Sequence, residues 1–201
     1  MEQRMRLNAE QRRAQLVEVA RTLFAEHGYH NLSMGQLAGA AGVSKPVLYQ
    51  HFSSKLDLYL ALLRDAVSEL EAQVHKALQG TTSNPDWVRG AISAYFDFVE
   101  DRNFRLLFTA EPSTADVREI IENALIGITQ AVAALIAKDA GLTPPAAGVL
   151  ASGLLGLALN GARWWIEQDR ADKLEKDEAV RLLSQLACQG LDSLNLQAAQ
   201  G

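Results

Sequence analysis

The sequence predicts an all-α protein of about nine helices, an N-terminal three-helix unit with a helix-turn-helix followed by a larger helical domain. Three observations predict it. Apolar residues recur at helical spacing along most of the 201 residues. No segment alternates convincingly with the period of a strand. Residues 33–52, SMGQLAGAAGVSKPVLYQHF, read as two short helices meeting at a tight glycine turn.

The first helix starts at Asn8, with Gln11 placed to complete a capping box, and carries Leu16, Val19, Ala20, Leu23, Phe24 and His27 until Gly28 stops it. Ser33 caps the second helix, with Gln36 reaching back to its amide, and Leu37, Ala38 and Ala41 give a thin apolar face. Gly42 supplies the left-handed residue that ends this helix, and Val43 plugs the corner. Ser44 is read as the cap of the third helix, with Pro46 in the first turn, where its missing amide hydrogen costs nothing. Leu48 and Phe52 then point one way, leaving Lys45, Val47, Tyr49, Gln50 and His51 for other faces.

Ser54 and Asp57 pair at the start of a long fourth helix with a stripe of Leu56, Leu60, Leu63, Val67, Leu70, Val74 and Leu78, stopped by Gly80 and TTSNP. Asn84 and Pro85 open a fifth helix containing Trp87, Ile92, Tyr95, Phe96 and Val99, followed by a short apolar segment, Phe104 to Phe108. Pro112 and Ser113 introduce a helix to about Ala140. Thr143, with Pro144 and Pro145 behind it, caps another to about Asp169, and the last spans roughly Lys176 to Leu194. The domain boundary is set where the fourth helix begins, giving 1–55 and 56–201.

Charge divides the chain in the same place. Residues 1–55 carry seven Lys/Arg against four Asp/Glu, net +3, and residues 56–201 carry twelve against twenty, net −8, within an overall −5. A basic N-terminal quarter on an acidic body orients a molecule toward phosphate backbones. The single Cys188 excludes an intramolecular disulfide and a cysteine zinc cluster, and no metal or cofactor motif is present. Met1 to Arg13 has no apolar run of a signal peptide, so a cytoplasmic protein is expected. The glycine-studded stretch 146–162 is apolar, but Asn160 and Arg163 keep it short of the ~20 residues a membrane span needs, and no membrane partner is expected.

On the third helix, Lys45 can donate to guanine acceptors or to a phosphate, and Val47 or Pro46 can touch a thymine methyl. Gln50 can pair with adenine or donate to a phosphate. Ser33 and the amides of its helix start can hold another phosphate, and Ser44 belongs to the same reading end. Arg4, Arg6, Arg12 and Arg13 form a basic arm or a solvated face. An enzyme is not expected, for no catalytic constellation emerges and the four histidines, His27, His30, His51 and His75, show neither HxxxH nor HExxH spacing. A DNA-independent lipid-binding protein is the alternative, and it gives no reason for the capped helix pair.

The spacing and identities of residues 16–60, with GVSKPVLYQHFSSKLDLYLALL at their heart, resemble the TetR family of transcriptional regulators. The resemblance implies an N-terminal unit that binds double-stranded DNA and a divergent helical domain that binds a small molecule and dimerises. It also implies that Tyr49, His51 and Lys55 clamp the DNA backbone. Repression is expected ahead of activation. Within the larger domain, Tyr95, Phe96, Val99, Phe104, Leu107, Phe108, Ile121, Leu125 and Trp164 are candidate walls of an effector chamber, with Asn160 and Arg163 as its few polar groups. Trp164 and Trp165 lie about 100° apart on a helix, so only one can face the chamber.

The last two long helices form the expected homodimer face. Gly148, Ser152, Gly153, Gly156 and Gly161 permit close approach, beside a stripe of Val180, Leu183, Leu186, Ala187, Leu191 and Leu194. A narrower resemblance, carried by SKPVLYQHFSSKLDLYL, YFDFVED, KDAGL and ARWWIEQDR, is to actinobacterial regulators of fatty-acid synthesis. It implies a long-chain acyl-CoA effector.

Overall fold

The computed structural model describes residues 8–79, 84–100, 114–168 and 173–198. The described residues form eight helices and no strand: α1 Ala9–His27, α2 Met34–Ala40, α3 Lys45–His51, α4 Lys55–Gln79, α5 Asn84–Glu100, α6 Ala115–Ala140, α7 Pro144–Ile166 and α8 Lys176–Ala198. The fold is all-α. The expected segment Phe104 to Phe108 lies outside the described residues, as do Arg4 and Arg6.

Local chemistry sets the ends of these helices. Asn8 and Gln11 exchange both bonds of a capping box at 2.8 and 3.0 Å, and Gly28 closes α1 at φ 76°. At α4 the amide of Asp57 donates to the Ser54 hydroxyl at 3.0 Å, but the Asp57 carboxylate returns to the amide and hydroxyl of Ser53 instead of to Ser54. The start of α6 falls to Thr114, whose hydroxyl accepts from the Val117 amide at 3.3 Å, two residues later than Pro112 suggests. Thr143 precedes α7 without a side-chain cap bond.

The buried faces are turned from those read by simple spacing. In α1 the core residues are Leu16, Val17, Ala20 and Phe24; Val19 is only half-buried and His27 is exposed. In α4, Leu63, Val67, Leu70 and Val74 are buried as expected, while Leu56, Leu60 and Leu78 are only partly covered. Leu58, Tyr59 and Leu62 are fully buried, so the first turns of α4 are covered on more than one side.

The chain divides into two compact units. The described residues up to Val67, with 114–121, make one, and those from Ser68, with 122 onward, make the other. The packing boundary therefore falls about three turns into α4. In the second unit α5 packs against both α7 and α8, and α7 against α8. Glycine permits one close approach there: a Cβ on Gly161 of α7 would stand 2.5 Å from Leu183 Cδ1 of α8. The close contact at Gly161 is thus internal to one chain, which removes this glycine from the expected intersubunit set.

Helices α6 and α7 are long and apolar enough to span a membrane by length and composition alone. Part of each packs inward, through Ile128, Val132 and Ile136 of α6 and Ala147, Ala151, Ala158, Ala162 and Trp165 of α7.

Lys176 ties the start of α8 to the end of α5, its ammonium donating to Asp97 at 2.8 Å and to Glu100 at 2.7 Å. These hydrogen bonds hold the ammonium above its ordinary pKa. A lysine whose pKa is raised by folding stabilises the fold fully below its unfolded value of about 10.4, and the contribution is lost as pH climbs through the folded value. The site is about one-third exposed, so a contribution on the order of 1 kcal/mol is expected after solvent screening. Lys176→Met should lower Tm by a few degrees, nearly equally at pH 7 and pH 9, in thermal unfolding followed by circular dichroism.

Candidate nucleic-acid interface

The turn between α2 and α3 is built from backbone hydrogen bonds. The Val43 amide donates to Ala38 O at 3.0 Å and the Gly42 amide to Gly39 O at 3.1 Å, with Gly42 at φ 65°. That pair of bonds is a Schellman motif, and it needs a left-handed residue at position 42. Ser33 holds the other end of α2: its hydroxyl accepts from the Gln36 amide at 3.3 Å, and its amide donates to Gln36 Oε1 at 2.9 Å. Met34, Leu37, Ala38 and Ala41 are buried beneath.

Ser44 stands at the N-cap position of α3, but its side chain makes no cap bond. Pro46 removes the amide at the second helical position, and the next two, Val47 and Leu48, donate to Ser44 O at 3.0 and 3.2 Å. The expected hydroxyl cap is therefore corrected to a backbone one. Leu48 and Phe52 are buried and fix the inner face of α3. The 100° step then distributes the others. Exposed Lys45 and Tyr49, the latter 44 % exposed, share one flank; Pro46 and Gln50 lie outermost; half-buried Val47 and His51 take the opposite flank. The Lys45 ammonium lies 5.9 Å from the centre of the Tyr49 ring.

Lys55 is placed differently from the clamp the resemblance implies. Its ammonium donates to Tyr29 O at 2.9 Å and Leu32 O at 2.8 Å, and lies 4.2 Å from the centre of the Tyr29 ring. Two of its three protons are committed to the loop joining α1 to α2, so Lys55 braces that loop. Tyr29 belongs to an aromatic cluster with Phe24 and Tyr59, at centroid distances of 5.8 and 5.2 Å, and burial raises its phenol pKa. Sequence reading missed Tyr29 and Tyr59, because the tie spans 26 residues and leaves no local pattern. Arg13 places its guanidinium 4.6 Å from the Phe52 ring centre, and Arg12 donates to Gln15 at 2.7 Å.

The second unit holds a small apolar cavity of about 30 Å³ lined by residues of α4 to α7, among them Val74, Trp87, Ile92, Tyr95, Ile128 and Leu155. Of the expected chamber walls among the described residues, only Tyr95 borders it. Phe96 and Val99 are buried, with Phe96 packed on Trp165 at 5.2 Å; Ile121 and Leu125 are half-buried. Phe104, Leu107 and Phe108 lie outside the described residues.

Three expected wall residues are corrected. Trp164 is 65 % exposed, whereas Trp165 is 4 % exposed and donates its indole N–H to Leu174 O at 2.6 Å. Asn160 is exposed, its amide on Gly156 O, and Arg163 is exposed, its guanidinium on Glu167 at 3.1 Å. The 100° step that separates the tryptophans carries all three outward with the exposed face of α7. The Tyr95 hydroxyl is buried without a hydrogen-bond partner, and burial raises its pKa.

Residues 16–62 match the family model described as bacterial regulatory proteins, tetR family. Along nearly its whole length the chain is similar to the HTH-type transcriptional activator FasR of Mycolicibacterium smegmatis, 42 % identical over 197 residues that cover 95 % of this chain and 88 % of that one. Its fold matches Bacillus subtilis FadR solved with stearoyl-CoA, at 17 % identity, TM-score 0.71, and coverage of 87 % of this chain and 96 % of that one. It also matches AibR solved with isovaleryl coenzyme A and operator DNA, at 21 % identity, TM-score 0.68, and coverage of 87 % and 97 %.

The brace at Lys55 and a phosphate clamp differ in a measurable way. Lys55→Met is expected to cost about 1–2 kcal/mol in urea unfolding, through two lost charge-assisted bonds. It should leave the slope of log affinity against log salt unchanged on duplex DNA, whereas loss of one phosphate contact would reduce that slope by about 0.9.

Proposed function

The chain belongs to the tetR family of bacterial regulatory proteins, and from that premise we propose that it acts as a ligand-responsive homodimer reading an approximately palindromic operator with α3 of each copy. It is a DNA-binding transcriptional regulator, not an enzyme. The observation that carries the proposal is the surface of α3: Lys45, Pro46, Tyr49 and Gln50 stand exposed on a helix whose inner face, Leu48 and Phe52, is fully buried. Lys45, Pro46, Val47 and Gln50 are assigned to base edges; Ser33, Ser44, Tyr49 and His51 are assigned to the phosphate backbone. Lys55 acts indirectly, by holding the loop that precedes Ser33. Functionally the division is 1–55 for reading and 56–201 for ligand binding and dimerisation, and a DNA ligand places the protein in the cytoplasm.

The exposed apolar faces of α7 and α8 support a dimer. Val149 is 73 % and Trp164 65 % exposed on α7, with Gly153 open between them, and Leu182 and Leu186 are exposed on α8. Steps of four and eleven residues on α7, and of four on α8, keep each set on one helix face, which fits a second copy of the chain better than lipid or water. Val180 and Ala187 are buried within the chain, so Leu182 joins the expected Leu186 in the proposed face; the side chains of Leu191 and Leu194 lie outside those described.

The effector is assigned as an acyl-CoA. The cavity beside Tyr95 is apolar, and FadR and AibR, which share the fold, were each solved with an acyl-CoA. A cavity of about 30 Å³ must widen to admit an acyl chain, and α4, which lines it through Val74, continues to Lys55. The ligand thereby favours one separation of the two reading helices, to the extent that it binds the two states unequally. FasR, similar along almost the full chain, is named an activator, which supports activation over the repression expected from sequence.

Selection of genomic fragments with the purified protein is expected to return a palindrome with half-sites about one helical turn, ~34 Å, apart. Lys45→Ala should weaken binding by roughly 1–3 kcal/mol and relax preference at one position per half-site if it reads a base. Leu186→Glu should yield a monomer in sedimentation and abolish high-affinity binding. A wild-type monomer at micromolar concentration, with and without operator, would remove the dimer from the proposal.

A further inference from the structure

The apolar cavity beside Tyr95 is separated from a much larger open groove by two side chains. Val74 of α4 and Ile128 of α6 line both spaces. The groove, about 520 Å³, runs between α4 and α6; its other described borders are the polar Ser68, Glu71 and His75, the apolar Leu78, and small residues that include Gly127. Gly127 keeps it open: a Cβ there would meet only the Glu71 carboxylate, 3.6 Å away, within 4 Å. Tyr95, which lines the cavity and is 2 % exposed, carries a buried hydroxyl donor with no acceptor among the described residues.

We propose that this groove is the mouth of the effector cavity, with Val74 and Ile128 as its gate, and that it recognises the neutral amide-bearing pantetheine arm of an acyl thioester while the acyl chain passes behind the gate. The proposal rests on the acyl-CoA reading above and specifies which part of that ligand is read. No Lys or Arg is among the described residues that line the groove, so these offer no counter-charge to the phosphates of coenzyme A. Its hydroxyl, imidazole and carboxylate suit the donors and acceptors of amides. The Glu71 carboxylate repels a free fatty-acid carboxylate placed at the same point. Tyr95 supplies a donor for a carbonyl on the chain side of the gate.

The test compares palmitoyl-CoA, S-palmitoyl-pantetheine and palmitate, each below its micelle concentration. Affinities are read by calorimetry and association rates by tryptophan fluorescence, since Trp87 lines the cavity. Palmitoyl-pantetheine is expected within about threefold of palmitoyl-CoA, and palmitate at least tenfold weaker. Glu71→Gln should recover at least threefold of the palmitate deficit with little change for palmitoyl-CoA, a selective shift that general damage to the fold would not give. Gly127→Trp, on an exposed position of α6, should slow association of palmitoyl-CoA at least tenfold with its far-ultraviolet circular dichroism unchanged.

If the wild type binds none of the three, the acyl-CoA reading falls and this inference with it. If it binds palmitoyl-CoA but Gly127→Trp associates at the wild-type rate, the mouth lies elsewhere and the acyl-CoA reading stands. If palmitoyl-pantetheine binds more than tenfold weaker than palmitoyl-CoA, recognition of the neutral arm is overturned.

Discussion

One ammonium group holds the reading unit to the helix that follows it. Lys55, the first residue of α4, donates to the carbonyls of Tyr29 and Leu32 and covers the ring of Tyr29. These carbonyls lie in the loop that delivers the chain to Ser33, so the start of α2 is referenced to the start of α4. The Schellman turn at Gly42 in turn references α3 to α2. Each link is short and polar and lies on a buried apolar floor of Leu37, Leu48, Phe52 and Leu58, where a lost hydrogen bond cannot be replaced freely by water.

The same helix serves the second unit. Its first turns are buried in the first unit, while Leu70 and Val74 belong to the second. An α-helix is continuous because each turn is bonded to the next, and α4 supplies buried side chains to both units as one unbroken element.

Helix α7 shows how a nearly uniform apolar segment acquires two functions. Ala147, Ala151, Ala158, Ala162 and Trp165 turn inward, and Val149, Gly153 and Trp164 turn outward. Small residues on the inner side let α5 and α8 approach, most closely where Gly161 meets Leu183. On the outer side, exposed valine and tryptophan leave apolar area that association can remove from water.

The sequence by itself determined the helices, their polar stops and the reading motif. Capping boxes at Asn8 and Ser33, the left-handed Gly42 and the inward pair Leu48 and Phe52 all depend on residues within five positions of one another, so the relevant physics is written locally. The placement of Lys55, Trp164 and the cavity walls was not legible in this way. Lys55 finds its acceptors 23 and 26 residues away. Trp164 and Trp165 are chemically equal and differ only by the rotation of α7 about its axis, which packing against α5 and α8 sets. Of the expected walls among the described residues only Tyr95 borders the cavity, because which apolar side chains enclose a space depends on how four helices meet. Local hydrogen bonding fixed the elements and the reader; only burial of apolar surface between distant segments decided which face of each helix turned inward.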